Sequence, residues 1–473
     1  MPRVILGVGA GIAAYKACEL LRLLTEAGHR VRVVPTPDAL RFVGEATWAA
    51  LSGEPVTTDV WSDVAGVPHV RLGQTADLVL VVPATADVLA RAVAGTAQDL
   101  LTATLLTARC PVVYAPAMHT EMWEHPATRH NVATLRERGA VVIEPAVGRL
   151  TGPDSGKGRL PEPGELFALA ESVLSFRTDA GSSAPATAAA PGGRPGTRPS
   201  LAGRRVLVSA GGTREELDPV RFLGNWSTGR QGYAFARSAV AQGADVTVVA
   251  ANVELPDPAG AKLVRVVSAR DMHAAMLAEA ATADVVVMTA AVADFRPATR
   301  SGRKIKKDGR VPDPIVLAEN PDILAGLAAQ REARGPAGQV IVGFAAETDP
   351  DLDAARAKLA RKGCDLLVVN PVGNGQGFGS ADNEAVVLSA DGTTTPIPRR
   401  SKEGLANVVL SLAAARLKLV ARPLDRSVRL NSARSVGLRM ETMWPVGCLP
   451  RSRLRKVIRT RWPTRSATPS SMR

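Results

Sequence analysis

Aromatic residues are scarce in this 473-residue chain, at 4% of the whole. A nucleic-acid reader that stacks bases on rows of Phe, Tyr and Trp is therefore excluded. Cysteine is scarcer: Cys18, Cys110, Cys364 and Cys448 lie far apart, with no C-x-x-C spacing. That argues against a disulfide framework and against a structural zinc site. No apolar run of about 18 residues is present, and no basic segment leads into a short apolar one. Neither a membrane span nor a secretory leader is expected, so the expected location is the cytoplasm. Acidic residues are almost missing from one region. Between Arg416 and Arg473 stand 15 Lys/Arg and only 2 Asp/Glu, which accounts for the entire net charge of +13. The first 415 residues are neutral, so the overall basicity does not assign the main body to a polyanion partner.

What is present is a repeated alternation of short apolar runs with helical periods. Val4–Val8, Val31–Val34, Asp77–Pro83, Pro111–Ala115 and Ala140–Ile143 read as buried strands, with a helix over Ile12–Ala27. Strands apolar on both faces and separated by helices predict a doubly wound, mainly parallel sheet, an α/β Rossmann-like fold. Residues 177–200, rich in Ala, Pro, Gly, Ser and Thr without an apolar period, predict a flexible linker. A second α/β unit follows over 201–416. Its strands are Arg205–Ser209, Asp245–Ala250, Asp284–Thr289, Val340–Phe344 and Asp365–Asn370, and its helices Gly232–Gln242, Asp271–Ala281, Pro321–Arg331, Asp351–Lys362 and Lys402–Ala415. Residues 417–473 form the basic tail, expected to be disordered.

Two glycine turns sit where strands end. Gly7-Val8-Gly9-Ala10-Gly11 leads into the first helix, where backbone N–H groups favour phosphate. Gly9-x-Gly11-x-x-Ala14 also fits a loose dinucleotide fingerprint. An NAD site wants an acidic residue ending the second strand, and here that strand runs into Pro35-Thr36-Pro37. A nicotinamide cofactor is therefore disfavoured. His69 precedes a buried strand that ends in Pro83-Ala84-Thr85-Ala86-Asp87. Gly95–Thr102 (GTAQDLLT) and Pro116–Trp123 (PAMHTEMW) follow. In the second unit, Ala210–Glu215 (AGGTRE) reads as a turn opening a helix. Asn225–Gly229 (NWSTG), Ala290–Phe295 (AAVADF), Lys304–Lys307, Asn320–Leu324 (NPDIL) and Gly343–Thr348 (GFAAET) complete the set. His29 sits at a helix end and His273 on a helix, neither with a supporting motif, and both are read as structural.

Together GVGAGIAAYK, TPDALRF, PATAD, GTAQDLLT and PAMHTEMW resemble the flavin-dependent cysteine decarboxylases. Over residues 1 to about 415, the two halves in order are similar to the bifunctional phosphopantothenoylcysteine decarboxylase / phosphopantothenate–cysteine ligase family of coenzyme A synthesis. The resemblance implies FMN held by Gly9, Gly11, Thr36, Thr85 and Ala86, with His69 as the active-site histidine. It also implies oxidation of the substrate's thiol end to a thioaldehyde, loss of carbon dioxide and return of the electrons. The chemistry of such a step belongs to the cofactor.

The likeness departs at two places. His119 stands where the family has an Asn that holds the substrate carboxylate, and imidazole can also donate to a carboxylate. Gly152 stands where the family has a proton-donating Cys, which leaves Asp154, Ser155, His119 or water for that step. For the second half the resemblance implies CTP-dependent activation of 4′-phosphopantothenate as an acyl-cytidylate, then attack by the amine of L-cysteine. Asn225 would grip the acyl-cytidylate and Lys304 would neutralise charge in nucleotidyl transfer. Met288, Thr289, Ala290, Asp294, Pro321, Asp322, Ile323, Leu324, Phe344, Lys358 and Lys362 would line the CTP site. Lys358 and Lys362, four apart on a helix, can point at the same phosphates. Mg²⁺ is expected with the triphosphate, its ligands unassigned, and so is a homo-oligomer. Two other readings stand beside this one: a ligase with an impaired decarboxylase half, because of Gly152, and a polyanion-binding protein acting through the basic tail. No nucleic-acid or membrane partner is expected.

Overall fold

The computed structural model describes residues 1–61, 64–150, 154–183, 200–306, 314–333, 338–347, 351–372, 380 and 382–420, with the side chains of 177–183 and 418–420 left aside. Gly152, Lys307, Thr348 and residues 421–473 lie outside the described residues.

The first half runs β1 (Arg3–Val8), α1 (Ala14–Glu26), β2 (Arg30–Pro35), a 3₁₀ turn (Pro37–Arg41), α2 (Glu45–Ser52), α3 (Pro68–Thr75) and β3 (Leu78–Ala84). It continues through α4 (Ala86–Ala94), α5 (Leu100–Thr107), β4 (Val112–Pro116), α6 (Thr120–Glu124), α7 (Pro126–Glu137) and β5 (Val141–Val142). A hairpin, β6 (Ala146–Arg149) and β7 (Ser155–Arg159), precedes α8 (Pro163–Ser183). The five main strands pair in parallel in the order β2-β1-β3-β4-β5. Every residue of β3 is buried, as its unbroken apolar run requires of a strand covered on both faces. Strand order reverses between β1 and β3, and the crevice at the carboxyl ends of those strands is where such a sheet takes a ligand.

The second half runs β8 (Arg205–Gly211), β9 (Arg214–Asp218), β10 (Arg221–Gly224), α9 (Arg230–Ala241), β11 (Asp245–Ala251), β12 (Ala261–Val266), α10 (Ala269–Ala280) and β13 (Val285–Met288). After β14 (Phe295–Pro297) and β15 (Leu317–Glu319) come α11 (Ile323–Ala333), β16 (Val340–Glu347), α12 (Leu352–Lys362), β17 (Leu366–Pro371), β18 (Asp382–Ser389), β19 (Thr394–Ser401) and α13 (Lys402–Val420). Its main sheet has eight strands in the order β12-β11-β8-β13-β16-β17-β18-β19, every pairing parallel except β17–β18 and β18–β19. Here the switch point lies between β8 and β13.

Four local expectations need correction. AGGT does not open a helix: after Thr213 the chain enters the antiparallel pair β9–β10, and α9 starts only at Arg230. His69 does not lead directly into a strand. Pro68 at the first helical position starts α3 there instead. The linker begins later than Arg177, because α8 continues to Ser183; residues 184–199 lie outside the described residues. Similarly α13 extends past Ala415 to Val420, with Leu417 buried.

Helix α8 also joins the halves. Leu166, Leu169, Ala170 and Val173 share one apolar core with Phe235 and Ala239 of α9 and with Val409 of α13. On the rim Arg237 stands 2.8 Å from Glu403 and 3.8 Å from Glu165, and Asn407 reaches Ser175 at 3.3 Å. Both sheets fall within one compact unit, Met1–Ala421.

Candidate active sites at the two switch points

The first site is built where β1 and β3 end. The amide of Gly9 donates to the Pro83 carbonyl at 3.0 Å. A Cβ on Gly9 would stand 2.6 Å from that oxygen and 3.3 Å from the Thr85 methyl, so glycine is required for the close approach. Gly11 lies 3.8 Å from the same methyl by the same construction. Thr85 caps α4, its hydroxyl accepting from Val88 N at 3.3 Å, and Ala86 is the first residue of that helix. Thr36 N donates to the Val8 carbonyl at 2.8 Å, which brings Thr36 to the end of β1. Thus Gly9, Gly11, Thr36, Thr85 and Ala86 meet at one switch point. The Thr36 hydroxyl is buried and has no hydrogen-bond partner. Burial of an unpaired hydroxyl is costly, so it suits a ligand that completes it. The tight glycine turn and this orphaned hydroxyl both fit a flavin phosphate and ribityl chain.

The loop after β4 lies beside this crevice. Ala117 N donates to the Ala84 carbonyl at 3.2 Å, and Met118 N to the Gly158 carbonyl at 3.0 Å. His119, half-buried, stands at the start of α6. The β6–β7 hairpin closes on this loop. Gly158 has φ +153°, and a Cβ there would lie 2.0 Å from the Met118 carbonyl oxygen. Asp154 and Ser155 are exposed at the start of β7. Glu144 holds the hairpin: its carboxylate accepts from Lys157 at 2.5 Å and from Arg136 at 2.9 Å. Burial disfavours the charge on Glu144, but the hydrogen bonds from Lys157 and Arg136 outweigh it and hold the group below its ordinary range.

His69 is carried on α3, which packs on α5. Thr107 Oγ1 donates to the His69 carbonyl at 2.7 Å, and His69 Nδ1 is buried without a partner. The GTAQDLLT motif has a structural role. Asp99 caps α5 in a reciprocal box with Thr102 and pairs with Arg91 at 2.6 Å.

The second site is a cavity of about 850 Å³ lined by the carboxyl ends of β13, β16 and β17. Its lining includes Asn225, Met288, Thr289, Ala290, Asp294, Pro321, Asp322, Ile323, Leu324, Phe344, Lys358 and Lys362. The segment 290–294 is strapped to β8: Ala291 N donates to the Gly211 carbonyl at 2.8 Å, and Ala293 N to Thr213 Oγ1 at 2.9 Å. Asn225 Nδ2 donates to the Val292 carbonyl at 3.0 Å, and Asn320 Nδ2 to the Ala293 carbonyl at 2.8 Å. Lys358 pairs with Glu347 at 3.2 Å and Lys362 pairs with Asp322. Both lysines line the cavity as their spacing requires, and each is held there by a carboxylate.

Lys304 is the exception, being exposed and outside the lining. Its neighbour is fixed: Asp218 Oδ2 accepts from Ile305 N at 3.1 Å, and Arg221 donates to the Ile305 carbonyl at 2.6 Å. The hydrogen bond from Arg221, aided by three backbone amides, holds the Asp218 carboxyl far below the usual range despite burial.

The sequence reading missed Asn370, Asn383, Arg230 and Lys402, which also line the cavity. Asn370 carried the signal of a polar residue closing a buried strand. Lys402, at the β19–α13 junction, carried none. Burial pushes its ammonium below the ordinary value, the charge of Arg230 adds to this, and Glu403 and Asp382 oppose it. Arg230 begins α9, whose first turn holds no acidic residue. This end of the cavity therefore suits an anion.

Comparison with known proteins agrees with this division. The model of the family "Flavoprotein" matches residues 1–175, and that of "DNA/pantothenate metabolism flavoprotein C-terminal domain" matches 201–417. The coenzyme A biosynthesis bifunctional protein CoaBC of Mycobacterium tuberculosis is 58% identical over 414 residues, covering 86% of this chain and 95% of that protein. Its counterpart in Mycolicibacterium smegmatis is 56% identical over 422 residues, covering 88% and 98%. Among solved structures, the C-terminal domain of a CoaBC protein is 34% identical, with a TM-score of 0.39, covering 46% of this chain and 98% of that one. At such identity over nearly the whole length of these relatives, the chain belongs to the CoaBC family of bifunctional enzymes, decarboxylase and ligase, of coenzyme A biosynthesis.

Proposed function

We propose that residues 201–416 join 4′-phosphopantothenate to L-cysteine using CTP and Mg²⁺. The route is an acyl-cytidylate with release of pyrophosphate. Residues 1–176 then decarboxylate the phosphopantothenoylcysteine with FMN, giving 4′-phosphopantetheine. The observation that carries the ligase reading is the single cavity lined by Asn225 and by every proposed CTP residue except Lys304. Arg230 and Lys402, beside the start of α9, line the cavity together with Lys358 and Lys362, and these cations would hold the phosphates. The Asn225 amide, already fixed by Val292, would donate to the activated acyl phosphate. Lys304 would act from the segment anchored by Asp218 and Arg221, neutralising charge as nucleotide is transferred.

In the first half, bound FMN would supply the two-electron oxidation and re-reduction of the substrate's thiol end. The chain does the rest. Gly9 and Thr36 hold the cofactor, His119 donates to the departing carboxylate, and His69 orients the substrate. The β6–β7 hairpin, closed on Met118, excludes water. Proton return falls to Asp154, Ser155, His119 or water. A homo-oligomer in the cytoplasm is part of the same proposal, as are a linker within 177–200 and a basic tail over 417–473. Among the described residues no helix is long and apolar enough to cross a membrane.

The test is the order of products. Pyrophosphate and the amide should form from 4′-phosphopantothenate, CTP and cysteine before any carbon dioxide. Carbon dioxide without prior amide would overturn the reading.

A further inference from the structure

Asn252 follows β11 directly and does not line the ligase cavity, yet its backbone is unusual. With φ +51° it is one of two non-glycine residues in the left-handed region among the described residues, the other being Val67. Glycine would take that conformation without steric cost, so an Asn there needs a use for its side chain. The amide Nδ2 carries two N–H groups, and it donates to two carbonyls, Gly212 O at 2.9 Å and Val267 O at 3.0 Å. The Gly212 amide in turn donates to the Ala251 carbonyl at 3.1 Å. Both polar backbone groups of Gly212 are thereby tied to the end of β11. The Val267 carbonyl, just past β12, also accepts from Arg214 N at 2.9 Å, which ties the same turn to a second strand end.

The turn so held carries part of the ligase site. Ala291 N donates to the Gly211 carbonyl at 2.8 Å, Thr213 N to the Ala291 carbonyl at 3.2 Å, and Ala293 N to Thr213 Oγ1 at 2.9 Å. These bonds fix the segment whose Val292 carbonyl accepts from Asn225 Nδ2 at 3.0 Å. The turn also meets Asn225 directly, since a Cβ on Gly212 would lie 2.8 Å from the Asn225 carbonyl oxygen. A contiguous run of contacts thus leads from Asn252 to Asn225. We propose that Asn252 is a positioning residue for amide formation: it fixes the Gly211–Thr213 turn, and through that turn the place from which the Asn225 amide meets the activated acyl phosphate. The inference rests on the role given to Asn225 above.

The full flavin-loaded chain is given 4′-phosphopantothenate, CTP, Mg²⁺ and cysteine. Pyrophosphate and amide are followed separately in wild type, Asn252→Gly, Asn225→Asp and the double variant. Glycine keeps the left-handed backbone and removes only the side chain. Asn252→Asp, close in size, tolerant of the same φ and without the donor, serves should the glycine variant fold poorly. Amide formation should slow by about 10- to 100-fold, the loss expected when a group is misplaced by about 1 Å. Pyrophosphate release and the KM for CTP should stay within about twofold, and carbon dioxide release from added phosphopantothenoylcysteine should match wild type. In the Asn225→Asp background, Asn252→Gly should slow the remaining amide formation by less than about twofold, because both changes act through one group. Equal losses of pyrophosphate and amide, an unaltered amide rate, or a full additional loss in the double variant would overturn the role of Asn252. A wild-type amide yield in Asn225→Asp would instead overturn the role of Asn225 on which it rests.

Discussion

Replacing Thr36 by Val should move the empty and flavin-loaded protein in opposite directions. The hydroxyl of Thr36 is buried at 3% exposure and has no partner. Val has nearly the same shape, so the substitution leaves no cavity. An unsatisfied buried hydroxyl costs about 1–3 kcal/mol. Removing it should stabilise the flavin-free protein by up to that amount, raising its melting temperature by no more than about 2–4 °C per kcal/mol. The loaded protein should lose a hydrogen bond to FMN. A net bond of about 0.5–1.5 kcal/mol corresponds to roughly 2- to 12-fold weaker binding. Scanning calorimetry of the stripped protein gives the first quantity, and flavin fluorescence on titration gives the second. A stripped variant less stable than wild type, with unchanged FMN affinity, would refute the reasoning. The hydroxyl would then serve the fold and not the cofactor.

Three further outcomes follow from the geometry. Gly158→Ala places a Cβ 2.0 Å from the Met118 carbonyl oxygen at φ +153°; it should open the hairpin and lower decarboxylation at least tenfold, about 1.4 kcal/mol, while amide formation measured on the same preparation stays unchanged. Asn225→Asp exchanges a donor 3.0 Å from the Val292 carbonyl for a carboxylate; pyrophosphate should still appear while amide yield falls, and a wild-type amide yield would sink the assigned role. Glu144 is held below its ordinary value of 4.5, so its contribution is complete above that value and is lost as pH falls through the lower folded value. The melting-temperature gap between wild type and Glu144→Gln should therefore be widest near neutrality and close on acidification below pH 4.5, and a gap that widens in acid would contradict the pairing with Lys157 and Arg136.

Much of this was legible in the chain because both sheets are buried on two faces. Runs such as Leu78–Ala84 and Val340–Phe344 announce themselves, and polar residues at their carboxyl ends mark the crevices. Lys358 and Lys362 were placed by the family resemblance, and their helical spacing set them on one face. The failures have physical causes. AGGT resembles a phosphate turn locally, but the strap from Ala291 to Gly211 pairs the chain with its neighbour and diverts it into β9–β10. Helix α3 was hidden because Pro68 starts it and it spans only eight residues. The hairpin β18–β19 went unread: its signal was the Asp391-Gly392 turn, with Gly392 at φ +89°, between strands of mixed polarity. Composition suggested that the halves were independent, yet α8 carries Leu166, Leu169 and Val173 into a core shared with α9. Lys402 lines the cavity through tertiary packing alone, which no short motif records.

The most direct test of the two-step assignment follows one carbon. The purified full chain, loaded with FMN, is given 4′-phosphopantothenate, CTP, Mg²⁺ and cysteine labelled at its carboxyl carbon. The label should enter phosphopantothenoylcysteine first and then leave as carbon dioxide, with one pyrophosphate per carbon released. His69→Asn should stop it at the amide. A label that accumulates in the amide with the wild-type chain would reduce the protein to a ligase. A label that never leaves free cysteine would contradict the account altogether.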